Sequence, residues 1–128
     1  MVVLPDSART AVEAAAALGC DVGQIVKSLV FTRDGEPVVV LCAGDRRVGS
    51  GRLGLHRASA DEVRAATGFA LGGIPPLGHD RPLATLIDES LRRYATVWCA
   101  PGTPHAVFEV ETEALIDAVP DASVLDVG

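Results

Sequence analysis

Aromatic residues are scarce: three Phe, one Trp and one Tyr make up 4% of a chain that is 48% hydrophobic. The interior must therefore be built from Val, Leu, Ala and Ile. Lysine is scarcer still, with Lys27 alone against ten arginines. An ammonium is a compact donor and a guanidinium a broad fork, so a lone lysine in this background marks a place where arginine would not serve. No apolar run approaches the roughly 20 residues of a membrane span. The opening Met-Val-Val-Leu-Pro-Asp lacks the basic region and long apolar stretch of a secretory signal. Cys20, Cys42 and Cys99 form no Cys-x-x-Cys pair and read as small buried hydrophobes in a reducing cytoplasm, with nothing to favour a thiol nucleophile. No Gly-x-Gly-x-x-Gly follows a strand, and there is no Walker lysine loop and no His-Glu-x-x-His. His56, His79 and His105 are too dispersed for a zinc site. No metal and no cofactor is expected.

A net charge of −6 argues against a broad nucleic-acid groove. Arg46, Arg47, Arg52 and Arg57 nevertheless crowd one stretch, which allows a local contact with a nucleic-acid end but not wrapping. A length of 128 residues is read as one domain, 1–128, large enough to bury roughly two-thirds of its unfolded surface.

What the chain does have is a dense cluster of backbone breakers, Thr67-Gly-Phe-Ala-Leu-Gly-Gly-Ile-Pro-Pro-Leu-Gly-His79. Glycine permits close backbone approach, and proline fixes φ and removes a donor. A surface turn is the plain reading. The position between apolar segments, with Phe69, Leu71, Ile74 and Leu77 as anchors, favours a rigid binding wall whose few free amides point in fixed directions.

Around that loop the pattern is irregular. Val2–Leu4 reads as a short strand. Ser7 opens a helix to about Leu18, closed by Gly19, and Asp21 caps a turn over Val22–Val26. Ser28–Arg33 and Pro37–Ala43 read as strands joined by Asp34-Gly35, a strong hairpin signal. Val38–Leu41 does not alternate, so that strand is expected to be buried on both faces. Gly44–Leu55 reads mostly as loop. Ser59 and Glu62 form a capping box for a helix ending by Gly68. Leu83–Ile87, Thr96–Ala100 and Ala106–Val110 read as strands, Asp88–Leu91 as a helical turn, and Glu113–Val119 as a last helix stopped by Pro120. The fold class is mixed α/β, α+β-like, rather than a doubly wound sheet. Asp88 ends an apolar strand, where a carboxylate either faces a cleft or caps the turn that follows. His79 and His105, beside the two breaker-rich turns, are the histidines nearest a candidate site.

In order along the chain, Gln24-Ile-Val-Lys-Ser-Leu-Val-Phe31, Ala43-Gly-Asp-Arg-Arg-Val48, Ala58-Ser-Ala-Asp-Glu-Val63, Thr67-Gly68, Gly72-Gly-Ile-Pro-Pro-Leu-Gly78, Ile87-Asp-Glu-Ser-Leu91 and the Pro101-Gly102 turn resemble the bacterial YbaK/ProX-type aminoacyl-tRNA editing domain. The most specific parts are Ile-Val-Lys-Ser and Gly72 to Pro76, and the resemblance runs from about Thr10 to the C-terminus. It implies a curved, barrel-like mixed sheet with helices packed outside. It also implies cytoplasmic hydrolysis of mischarged aminoacyl-tRNA, alanyl or cysteinyl esters on proline tRNA being the family's usual substrates. The implied partners are the tRNA acceptor end and prolyl-tRNA synthetase, with no membrane. The family usually carries an N-terminal helix before its first strand, and this chain starts at or inside that strand, so the expectation is either a chain shortened by that helix or a true start further upstream.

The resemblance also implies roles. Lys27 would hold the terminal phosphate or ribose near the carbonyl. Gly72 and Gly73 would offer N–H groups to the developing oxyanion, kept in place by Pro75 and Pro76. Ser28 and Asp88 would hydrogen-bond the substrate ammonium or a ribose hydroxyl, and Ile74 and His105 would line the pocket. Water, a substrate hydroxyl and a substrate thiol are each compatible as nucleophile. Two other classes fit the same residues. One is a binding module of this fold without turnover, which could dispense with Lys27. The other is a small-molecule hydrolase indifferent to a tRNA end.

Overall fold

Asp34 and Gly35 both take positive φ, 52° and 80°, which is what a two-residue turn of the hairpin type demands. They join β2 (Val26–Arg33) to β3 (Glu36–Ala43) in a ladder running from Arg33↔Glu36 back to Val26↔Ala43. The computed structural model describes residues 2–4, 10–59, 61–62, 84–100 and 106–128. Within them the other strands are β1 (Val2–Val3), β4 (His56–Arg57), β5 (Ala84–Asp88), β6 (Thr96–Cys99), β7 (Ala106–Glu111) and β8 (Ala122–Leu125). The helices are α1 (Ala11–Leu18), α2 (Ser50–Leu53) and α3 (Thr112–Ala118), with 3₁₀ turns at Val22–Gln24 and Glu89–Arg93.

Two sheets result, one of order β4-β2-β3-β5-β8 and one of order β1-β7-β6. The larger is mixed: β2 is antiparallel to β3 and β4, while β5 runs parallel to β3 and β8 parallel to β5. A parallel bridge between Ile25 and Trp98 links the sheets just before Lys27. Side chains alternate across a strand, and three apolar layers follow. Between the sheets lie Val26, Val30, Val39, Leu41 and Ile87 from one side and Val97 and Cys99 from the other, closed by Leu91 and by Leu115 of α3. Beyond the smaller sheet, α1 packs Ala14 and Ala15 against Leu4, Ile25 and Val107. On the far face of the larger sheet Val38, Val40, Cys42 and Leu86 are covered by Leu55 and Val127. β3 sits at the centre: every residue from Val38 to Ala43 is at most 2% exposed. The mixed α/β class and the doubly buried strand are as expected.

Several boundaries differ from expectation. Thr10, not Ser7, caps α1: its Oγ1 accepts from Glu13 N at 3.1 Å and Glu13 Oε1 accepts from Thr10 N at 3.2 Å. Ser7 itself lies outside the described residues. β2 begins at Val26 because Val26 enters the central core and extends the ladder to Ala43, so Lys27 lies within the strand. Gly44–Leu55 contains α2, closed by Gly54 at φ 69°. β8, absent from the expected elements, is an edge strand with Ser123 exposed. The Ser59–Glu62 capping box forms as expected, with bonds of 3.0 and 3.1 Å. The rest of that helix, the 72–78 loop, Leu83 and the 101–104 turn lie outside the described residues.

Candidate functional site

A two-residue hairpin turn dictates every pairing behind it, and it sets Lys27 opposite Cys42. The parallel register Leu41↔Ile87 then brings Asp88 beside Cys42 on the next strand. Lys27, Cys42 and Asp88 thus form one row across β2, β3 and β5, on the face carrying Val40 and Leu86. Such a row buries a carboxylate completely: Asp88 is 0% exposed. Burial of an ion is tolerable only with donors on its oxygens, and Asp88 has them. Its Oδ1 accepts from Ser90 N at 2.9 Å, capping the Glu89–Arg93 turn, and its Oδ2 accepts from Ala43 N at 3.1 Å. Arg46 Nη1 stands 3.6 Å from Oδ1, and Cys42 Sγ is 3.9 Å from Oδ2.

Lys27 is partly buried, its stem lying along apolar surface in the manner of long basic side chains. Its Nζ donates to the backbone carbonyl of Arg46 at 2.6 Å. An ammonium has three donors, and no carboxylate among the described residues comes within ion-pair distance of this one. Burial pushes the Cys42 thiol up to about 11, against the opposing pull of Lys27 and with Asp88 adding to the rise. Burial alone takes Cys99 to about 12. Both thiols are protonated at neutral pH and so are poor nucleophiles.

Of the residues singled out in the sequence, the structure brings Lys27 and Asp88 to one face. Ser28 goes to the other: it pairs with Leu41 and alternates between Val26 and Val30 on the central-core side. Gly72, Gly73, Ile74, Pro75, Pro76, His79 and His105 lie outside the described residues. Two of the four clustered arginines are committed internally. Arg46 Nη2 meets Asp126 Oδ1 at 2.8 Å, and Arg52 donates to the carbonyls of Asp126 and Gly128 at 2.5 to 3.0 Å. Sequence reasoning counted Arg46 among arginines free for a nucleic-acid end, and read Cys42 as a small buried hydrophobe, which its burial bears out. Carried past the expected strand start at Ser28, the hairpin register implies that Cys42 faces Lys27, whereas the Arg46 contacts depend on long-range folding.

A turn locked behind the row completes the geometry. Gly44 has no room for a side chain, since a Cβ there would collide with Val22 O and lie 3.0 Å from Ile25 O. Asp45 takes a two-pronged bond from Arg93, 2.8 and 3.0 Å, and that guanidinium sits 5.1 Å over the Tyr94 ring. Arg93 holds the Asp45 carboxyl below its ordinary value. Among the described residues no helix is long and apolar enough to cross a membrane.

Fold and row together define a small mixed α/β domain in which one ammonium, held by a backbone carbonyl and without a carboxylate partner among the described residues, stands on the second strand of the main sheet. The chain belongs to the aminoacyl-tRNA editing domain family, whose family model matches residues 5–118. It is similar to the uncharacterized protein YwhH of Bacillus subtilis, 29% identical over 116 residues, which covers 85% of this chain and 74% of that protein. It is also similar to the proline–tRNA ligase of Lactobacillus gasseri, 36% identical over 77 residues, covering 54% of this chain but only 14% of the ligase. A solved structure described as a candidate trans-editing enzyme for prolyl-tRNA synthetase superposes with a TM-score of 0.89 at 48% identity, over 98% of this chain and 83% of that one.

Proposed function

We propose that this chain is a cytoplasmic deacylase that acts in trans on mischarged aminoacyl-tRNA, with alanyl or cysteinyl esters of proline tRNA as substrates. The observation that carries this reading is the Lys27 ammonium, held by one backbone carbonyl and lacking a carboxylate partner among the described residues. A charge left in that state is complementary to the terminal phosphate or ribose of a tRNA end. The structural likeness to a candidate trans-editing enzyme supports the same substrate class.

In this reading Lys27 fixes the terminal adenosine, and Gly72 and Gly73 N–H groups receive the carbonyl oxygen as it becomes an oxyanion. Pro75 and Pro76 stiffen that segment, and Ile74 and His105 line the pocket. Water adds to the ester carbonyl, the bond from that carbon to the ribose oxygen breaks, and the departing oxygen takes up a proton. The products are a free amino acid and intact tRNA. An alanyl ester has no side-chain hydroxyl or thiol, so water is the nucleophile for it. Asp88 enters as a support rather than a substrate ligand, since it is fully buried with its oxygens occupied, and Ser28, on the face of β2 opposite Lys27, is given no part in the step.

A deacylation panel over differently charged tRNAs tests this. Release of alanine or cysteine from proline tRNA, with prolyl-tRNA left intact, is expected. Binding without release from any mischarged tRNA would mean a recognition module. Equal hydrolysis of amino-acid esters that lack tRNA would mean a small-molecule hydrolase.

A further inference from the structure

We infer that Arg46 is a positioning residue for Lys27, and that Asp88 and Asp126 clamp it for that purpose. The inference rests on the reading that Lys27 acts on substrate. Arg46 works at both of its ends. Its backbone carbonyl accepts Lys27 Nζ at 2.6 Å and lies 3.6 Å from Cys42 Sγ. Its guanidinium reaches two carboxylates, Asp88 Oδ1 at 3.6 Å and Asp126 Oδ1 at 2.8 Å. Asp88 also holds the start of the same turn through Ala43 N at 3.1 Å, and Arg46 N donates back to Ala43 O at 3.0 Å. One buried carboxylate therefore grips the 43–46 turn at both ends, and the carbonyl at its tip aims at the ammonium.

Lysine rotates freely about its stem, so a fixed acceptor at Nζ is what turns a mobile charge into an oriented donor. An arginine is required at 46 because only a fork can span a buried and an exposed carboxylate at once. Asp126 follows β8 and belongs to the tail that Arg52 also binds. The geometry thus couples the orientation of Lys27 to the seating of residues 126–128.

Lys27 is the single lysine, so a ¹⁵N spectrum contains one side-chain ammonium signal, and that signal reports its hydrogen bond directly. Arg46→Ala keeps the carbonyl and removes the clamp. The expected result is a single-turnover rate lower by about 10- to 100-fold, with KM little changed, together with a shifted Nζ signal whose hydrogens exchange faster. Arg46→Lys should not rescue. Asp126→Asn, an exposed change that leaves the buried pair intact, should move both readouts the same way by less. The inference is overturned if Arg46→Ala leaves the Nζ signal unchanged, or if it moves the signal while deacylation stays at the wild-type rate. A Lys27→Ala protein with full activity would instead remove the functional reading; the Nζ signal would still decide whether Arg46 positions the lysine.

Discussion

Lys27 leaves β2 on the face shared with Leu29 and Phe31, and its ammonium meets the Arg46 carbonyl, which the buried Cys42 thiol also faces. The thiol is chemically quiet. Burial raises Cys42 to about 11 and Cys99 to about 12, and both side chains are at most 1% exposed. Cys20 is partly exposed, with its own thiol raised by burial and then by Asp21. Alkylation of the native protein at neutral pH should therefore modify Cys20 alone, and all three thiols after unfolding. Mass spectrometry of the digested adducts reads this out. A native protein labelled at Cys42 would show that the row is open enough for the thiol to act as a nucleophile.

At the scale of elements, the 43–46 turn matters more than any strand end. It is backed against the Val22–Gln24 turn with no space at Gly44, tied by Asp45 to Arg93 and by Arg46 to Asp88 and Asp126. Gly44→Ala must displace the carbonyls of Val22 or Ile25, an overpacking strain of about 1–3 kcal/mol. The expectation is a lower denaturation midpoint and weaker deacylation, measured by chemical unfolding and single-turnover assay. Unchanged stability would mean that the turn is not under this constraint. This element also shows what was legible beforehand. Asp34-Gly35 announced the hairpin, and a two-residue turn settles the pairings from Arg33 opposite Glu36 back to Ser28 opposite Leu41; the expected strand began at Ser28, and the ladder runs two residues further to set Lys27 opposite Cys42. The non-alternating Val38–Leu41 run announced a strand buried on both faces. Asp88 beside Cys42 did not follow, because parallel pairing with β3 is non-local and leaves no mark in spacing. Thr10-x-x-Glu13 was a capping box overlooked in favour of Ser7, and α2 is too short to show a period. Ser28, adjacent to Lys27 in sequence, faces the opposite way because a strand alternates.

For the whole molecule, the three-layer packing explains why so acidic a chain can still present a cation. The acidic excess is spent partly on pinning arginines: Asp126 and Asp88 hold Arg46, Asp45 holds Arg93 and Glu113 holds Arg92. Lys27 meets this network through the Arg46 carbonyl alone and has no carboxylate partner of its own among the described residues. The central claim is that this carbonyl-held ammonium carries the chemistry. Lys27→Ala and Lys27→Arg, both checked for folding by thermal unfolding, should be compared with wild type in single-turnover hydrolysis of alanyl- and cysteinyl-tRNA for proline. Both variants should remain folded. Lys27→Ala should lose about 100-fold in rate, the scale of a substrate end no longer held in register, and Lys27→Arg should not restore it because a guanidinium is too broad for the space. A folded Lys27→Ala protein that hydrolyses its substrate at the wild-type rate would contradict the assignment.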